Sequence, residues 1–206
     1  AKATDSAPLP NSSPWSTATK VTINNTPTPG PVFIDANTNG TYDSGEQSFA
    51  TIQAGIDAAT SGQTIVVGAG TYAEHVNVNK SVILKGANKG VAGNATRSAE
   101  SIVNGSDTDA AFAITANSVT IDGFTIENGS NGGHDAGIWS QTGTQNSSIL
   151  NNIITQNSFG IWAQCGGNCL IQANLFNGNN KPGTGAGTDS ISADSTTGLT
   201  VNNNEF

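Results

Sequence analysis

The sequence predicts an all-β solenoid of short stacked strands, closed at its N-terminal end by a single α-helix. Three observations carry that reading. First, a block recurs. Gly137-Ile138-Trp139-Ser140-Gln141 returns as Gly160-Ile161-Trp162-Ala163-Gln164 after 23 positions. Asn152-Ile153-Ile154 returns as Asn174-Leu175-Phe176 after 22, and as Asn204-Glu205-Phe206 after 30 more. Second, 206 residues include 25 Gly and 25 Asn, only 11% are charged, and Met is absent, so turn formers abound and helix formers are scarce. Third, apolar residues alternate over short stretches, as in Val119, Ile121, Phe124 and Ile126, which is the two-residue period of strands with one face inside. A strand-and-turn unit of about 22 residues is the size of one solenoid coil.

The elements follow in order. Residues 1–30 hold five of the seven prolines and many Ser and Thr, which predicts an extended arm or linker. Within it, Lys20-Val21-Thr22-Ile23 reads as an edge strand and Trp15 as an anchor onto the main body. The body, 31–206, starts with a strand at Val32-Phe33-Ile34. Ser48 is placed to cap a helix over Phe49 to Ala59, because Phe49, Ile52, Ile56 and Ala59 share one helical face and Ser61-Gly62 follows. Strands are then expected at Thr64 to Val67, Thr71 to Val78, Ser81 to Lys85, Ser101 to Val103, Ala111 to Ala116 and Ser118 to Ile126. Two polar insertions, Ser130 to Asp135 and Lys181 to Thr188, lengthen later coils. Coils about 4.8 Å apart would stack equivalent Asn residues into side-chain ladders, and would set any charge against its own copy.

One segment carries specific chemistry. Asp35-Ala36-Asn37-Thr38-Asn39-Gly40-Thr41-Tyr42-Asp43-Ser44-Gly45-Glu46 matches the twelve-residue EF-hand calcium loop. Side-chain oxygens stand at positions 1, 3, 5, 9 and 12 (Asp35, Asn37, Asn39, Asp43, Glu46), Thr41 offers its carbonyl at position 7, and Gly40 permits the turn at position 6. Ca²⁺ prefers six to eight hard oxygens, and Glu46 can supply two. A single loop after a strand is not a paired sensor. Its expected role is structural, fixing the start of the helix against the first coil.

Phe49 to Ala59, Gly62-Gln63-Thr64-Ile65-Val66-Val67, Gly70-Thr71-Tyr72-Ala73-Glu74 and Val82-Ile83-Leu84-Lys85-Gly86 resemble the N-terminal pattern of the right-handed parallel β-helix, or pectin-lyase-like, superfamily. The resemblance extends over roughly residues 47 to 206. It implies a right-handed parallel β-helix with a helix capping the open end of the first coil. It implies no one activity, since the fold serves lyases, esterases, hydrolases, adhesins and tailspikes. The catalytic residues of these enzymes do not carry over. Arg97, the one arginine, precedes the coils on which the esterases place theirs. After it the basic residues are His134 and Lys181. Asp122 is expected to stack over Asn151 rather than to pair with Asp135, and adjacent His134 and Asp135 make a poor base and orienter. No catalytic residue is assigned.

Trp139 and Trp162 fall at equivalent positions of adjacent coils. With Ile138 and Ile161 inside, both indoles point outward, as candidate contacts for sugar rings, with Gln141 and Gln164 on the same face. The alternative is that the two indoles pack on each other and on neighbouring loops. Cys165 and Cys169 are too few for a soft metal site and predict a disulfide across a tight turn in an oxidising compartment, with two free thiols as the alternative. A net charge of −8 and a pI near 4.4 argue against a nucleic-acid partner, and no apolar run of 18 residues exists to enter a membrane. Asn202 to Phe206 stops partway through a coil, which predicts either further coils or another chain stacked there.

Together these features predict a secreted or cell-surface, calcium-stabilised β-helix module, non-catalytic in these residues, that binds extracellular polysaccharide or serves as an adhesin or structural element. The alternatives are the N-terminal part of a polysaccharide lyase or pectin-esterase-like enzyme, and a subunit of an extracellular filament.

Overall fold

The computed structural model describes residues 31–182 and 190–206. The arm over 1–30, with Trp15 and the strand expected at 20–23, lies outside the described residues, as does most of the insertion at 181–188.

The chain enters through an antiparallel pair, β1 (Val32–Asp35) and β2 (Ser48–Phe49), followed by α1 (Ile52–Ala58). Three-strand coils then succeed one another. The first is β3 (Thr64–Val67), β4 (Gly70–Ala73) and β5 (Val76–Val78), and the second is β6 (Ile83–Lys85), β7 (Ser101–Asn104) and β8 (Phe112–Ile114). The third is β9 (Thr120–Asp122), β10 (Thr125–Glu127) and β11 (Ala136–Ser140). The fourth is β12 (Ser148–Leu150), β13 (Ile153–Thr155) and β14 (Phe159–Ala163). The fifth is β15 (Cys169–Gln172), β16 (Leu175–Asn177) and β17 (Ile191–Ala193), and β18 (Leu199–Asn202) opens a sixth. Strands at the same place in successive coils pair in parallel, which makes three sheets: β3-β6-β9-β12-β15-β18, β4-β7-β10-β13-β16 and β5-β8-β11-β14-β17. This is the parallel β-helix that the sequence predicts. β1 and β2 extend the first sheet by an antiparallel edge.

The interior is a set of stacked apolar columns. Ile65, Leu84, Ile121, Ile149 and Ile171 lie in register on the first sheet, and Tyr72, Val103, Ile126, Ile154 and Phe176 on the second. All ten are buried. Each such side chain removed from water contributes about 1.5–3 kcal/mol, so the stack itself is the main stabilising term.

The corners explain the Asn and Gly content. At the turn from the first sheet to the second, Gly123, Asn151, Ala173 and Asn203 all adopt φ between 51° and 84°. At the next corner Asn128, Gln156 and Gly178 do so, and at the third Ser118, Asn146, Asn168 and Gly198. Left-handed backbone costs an ordinary residue about 1–2 kcal/mol and Gly or Asn less, so Gly and Asn fill most of these places, with Ala173, Gln156 and Ser118 as the exceptions. Gly123 is also sterically required, since a Cβ there would stand 2.1 Å from the Lys89 nitrogen.

The expected Asn ladders are present, and buried except at Asn204. Asn152 Oδ1 accepts from Phe124 N, Asn174 Oδ1 from Asn152 N, and Asn204 Oδ1 from Asn174 N, each at 2.9 Å. A second ladder at the next corner runs through Asn157 and Asn179.

Several boundaries differ from the sequence reading. The helix starts at Ile52, capped by Thr51 Oγ1, and Ser48 with Phe49 instead pairs with β1. The stretch 71–78 splits into β4 and β5, and 118–126 into β9 and β10, because each contains a corner. Residues 87–100 form a strap that the sequence did not reveal. It lies across several coils at the first corner: Gly93 N donates to Ala173 O, and Asn94 Nδ2 to Glu205. Arg97 Nη1 donates to Asn151 O, while its side chain, 4% exposed, pairs with Glu100.

Candidate functional site

The calcium-type loop connects β1 to β2, so it is a hairpin loop rather than a direct strand-to-helix link. Ile34 N donates to Gln47 O, closing the hairpin, and the Tyr42 ring meets Phe33 edge-on at 5.7 Å. The loop folds around its own oxygens. Asp35, 2% exposed, accepts from Asn39 N and Gly40 N through its two oxygens. Asn37 Oδ1 accepts from Asn39 N, and Asn39 Oδ1 from Thr41 N. Glu46 accepts from Ala36 N through Oε1 and from Asp43 N through Oε2. The five side chains at positions 1, 3, 5, 9 and 12 are thereby tied into one network. Asp43 Oδ2 takes the Asn37 and Asn39 amide nitrogens at 2.6 and 2.7 Å. A half-turn of either amide about χ2 replaces that donor by an oxygen.

Among the described residues no three Asp, Glu, His or Cys side chains form a ready metal cluster. The Asp35, Asp43 and Glu46 carboxylates are instead engaged by N–H groups and amides of the loop itself. Gly40 adopts φ +79°, a left-handed conformation that favours glycine, and only the flexible tip of Lys89 stands near where a Cβ would be. A cleft of about 570 Å³ opens beside the loop, bounded by Asp43, Glu46 and Gln63.

The helix that follows is held at both ends by the first coil. The Glu74 carboxylate accepts from Ile52 N and Gln53 N, a negative charge at the positive end of the helix. Lys80 Nζ donates to the carbonyls of Ile56, Asp57 and Ala59 at the other end. Sequence reasoning missed both roles. The signal was present as an acid 22 residues and a lysine 21–24 residues beyond the helix ends they serve, about one coil away.

On the third sheet, Trp139 and Trp162 are paired in register, as the repeat predicts. The two indoles are half-buried and do not form a bare flat platform. The His134 imidazole stacks on Trp139 at 3.7 Å, and Phe159 tilts against Trp162 at 5.8 Å. Gln164 Oε1 accepts from Trp139 Nε1 and Thr142 Oγ1, whereas Gln141 is exposed. The insertion at 130–135 is what brings His134 over the indole, and no strand periodicity records that.

The acids and bases weighed for catalysis are dispersed. Asp122 accepts from Asn151 Nδ2 and Gly90 N at the first corner, and Asp135 is buried before β11 on another sheet. His134 Nδ1 faces Asp109 at 3.5 Å, not Asp135. Lys181 pairs with Asp107 at 2.7 Å, and that hydrogen bond holds the Asp107 carboxyl below its ordinary range. Cys165 and Cys169 are buried free thiols side by side, and burial, then the neighbouring thiol, pushes the Cys165 thiol up to about 12.

Over 88 residues the chain is 39% identical to a protein named cell surface glycoprotein of Methanothermus fervidus. The alignment covers 42% of this chain and 13% of that protein, so the chain spans a small part of its relative's length. No protein-family model matches the chain, and no solved structure does. No helix among the described residues is long and apolar enough to cross a membrane.

Proposed function

We propose that the chain is a cell-surface β-helix module, stabilised by calcium in the loop at 35–46, that contacts extracellular polysaccharide through the outer face of its third sheet. The observation that carries this is the loop network. Five oxygen-bearing side chains at EF-hand spacing are tied together where the capping helix meets the first coil. Calcium held there would tie the ends of β1 and β2 together beside Ala58, Thr60 and Gln63, at the far end of α1. Extracellular sites of this kind work at about 10⁻⁴–10⁻³ M, the concentration range found outside cells. A relative that bears the name cell surface glycoprotein supports the location. The Cys165–Cys169 pair would close as a disulfide in the same oxidising surroundings.

The test is incubation with pectate, alginate, xylan and neutral glucans in millimolar calcium, following both co-sedimentation and the absorbance of unsaturated products. Binding without cleavage is the expected result. Cleavage of any polymer would refute the non-catalytic reading and turn attention to Asp122, His134, Asp135 and Lys181. The absence of both binding and cleavage would remove the polysaccharide role.

A further inference from the structure

The outward column of the third sheet contains a gap. In register it reads Asn77, Ala113, Trp139, Trp162 and Ser192. Rungs lie about 4.8 Å apart, so a methyl group between an amide and an indole leaves a notch one side chain deep. Two loops from neighbouring coils wall this notch. Asp109 comes from the turn before β8, and His134 from the insertion before β11. The resulting cleft of about 290 Å³ is floored by Ala113 and lined by Asn77, Asp109, His134, Trp139 and His75, so both histidines of the chain meet there.

The wall is pre-formed. Asp109 Oδ1 accepts from Ala110 N and His134 N, which fixes the carboxylate. His134 is fixed between Asp109 and the Trp139 ring. His75 Nδ1 lies 2.9 Å from Ala110 O and must donate there, so its Nε2, in the neutral ring, accepts from Thr108 Oγ1. Asn77 Oδ1 accepts from Thr115 Oγ1, which turns the amide and leaves its Nδ2 as a donor. The result is an apolar floor with an aromatic flank, a carboxylate acceptor and an amide donor. The volume of about 290 Å³ is just below the ~300–1,000 Å³ range of drug-sized sites, enough for one ring.

We propose that this cleft holds a single neutral sugar residue of a glycan, and that it discriminates against uronic acids. With Oδ1 held by two backbone N–H groups, Oδ2 is left to accept from a sugar hydroxyl, and the carboxylate repels a carboxylated sugar. No arginine or lysine lines the cleft to reverse that. Arg97 is buried in the strap with Glu100, and Lys181 is engaged by Asp107. The overall charge of −8 adds to the repulsion. This inference rests on the polysaccharide reading above and narrows it to a ligand class and a place.

The test is isothermal titration calorimetry in millimolar calcium, with manno-, gluco- and galacto-oligosaccharides against oligogalacturonate and oligoguluronate. At least one neutral oligosaccharide should bind, and the uronates should bind at least tenfold more weakly. Ala113→Phe, which fills the notch from an outward position, and Asp109→Ala should each weaken neutral binding tenfold or more, with the Ala113→Phe melting temperature unchanged. Uronates bound as well as neutral sugars would overturn the proposal while the polysaccharide reading stands. Neutral binding that survives Ala113→Phe would place the contact elsewhere and overturn the cleft. No binding by any probe would overturn both.

Discussion

The substitution Asn174→Ala tests the ladder that joins the coils. Asn174 is 1% exposed and uses its amide fully. Oδ1 accepts from Asn152 N at 2.9 Å and Asn152 Nδ2 at 3.0 Å, while Nδ2 donates to Ile149 O and Asn204 Oδ1, both at 3.0 Å. Alanine deletes all four bonds, leaving the Asn152 N–H in a fully buried residue without its acceptor. A buried polar group stripped of its partner costs about 1–3 kcal/mol. The one orphan, the Asn152 N–H, therefore costs about 1–3 kcal/mol, reduced if water enters, since Ile149 C=O keeps its place in the β12–β15 ladder. Urea unfolding read by circular dichroism should show a loss of about 1–3 kcal/mol at unchanged m-value. Asn177→Ala, at an exposed site three residues on, should change stability by less than about 0.5 kcal/mol. Equal effects of the two substitutions, or a loss below 1 kcal/mol at Asn174, would refute the claim that the ladder carries stability and reduce it to a geometric regularity.

Three further outcomes follow from the same contacts. Lys80→Met keeps the aliphatic stem but removes three charge-assisted bonds to the helix end, so it should cost about 2 kcal/mol in the same unfolding assay. In reduced protein at pH 8, Cys165 should resist a thiol reagent until the chain is unfolded, because its thiol is buried and pushed up to about 12; rapid labelling of the native state would contradict this. The Asp107 carboxyl is depressed by Lys181, so its contribution is present above the ordinary carboxylate range and is lost as pH falls through the lower folded value. Lys181→Met should therefore lower the melting temperature slightly at neutral pH and not at all in strong acid. The effect should be small, because the Asp107 side chain is 46% exposed.

Much of the architecture was legible because a solenoid writes its register into the sequence. The recurrence of Gly-Ile-Trp placed Trp139 beside Trp162, and the recurrence of Asn placed 152, 174 and 204 on one ladder, both as found. The helix was legible as an amphipathic segment, but its start was not. By type Ser48 is the better cap of Ser48 and Thr51, but pairing with β1 claims it. The strap at 87–100 and the cleft were hidden for another reason. Several of their contacts join residues 30 or more apart through insertions of irregular length, as His75 with Thr108 or Arg97 with Asn151. Periodicity locates the strands and says nothing about where a loop returns.

The most direct test of the central proposal is the calcium dependence of stability. For a site with a dissociation constant near 10⁻⁴ M, 10 mM calcium is a hundredfold excess, and binding to the folded state alone adds about 2.7 kcal/mol. At roughly 2–4 °C per kcal/mol for a chain of this size, the melting temperature should rise by about 5–11 °C over that in chelator. The double variant Asp35→Ala with Glu46→Ala should lose that rise and melt at one temperature in both conditions. A parent protein whose melting is indifferent to calcium, or a double variant that keeps the full rise, would contradict the assignment of the loop.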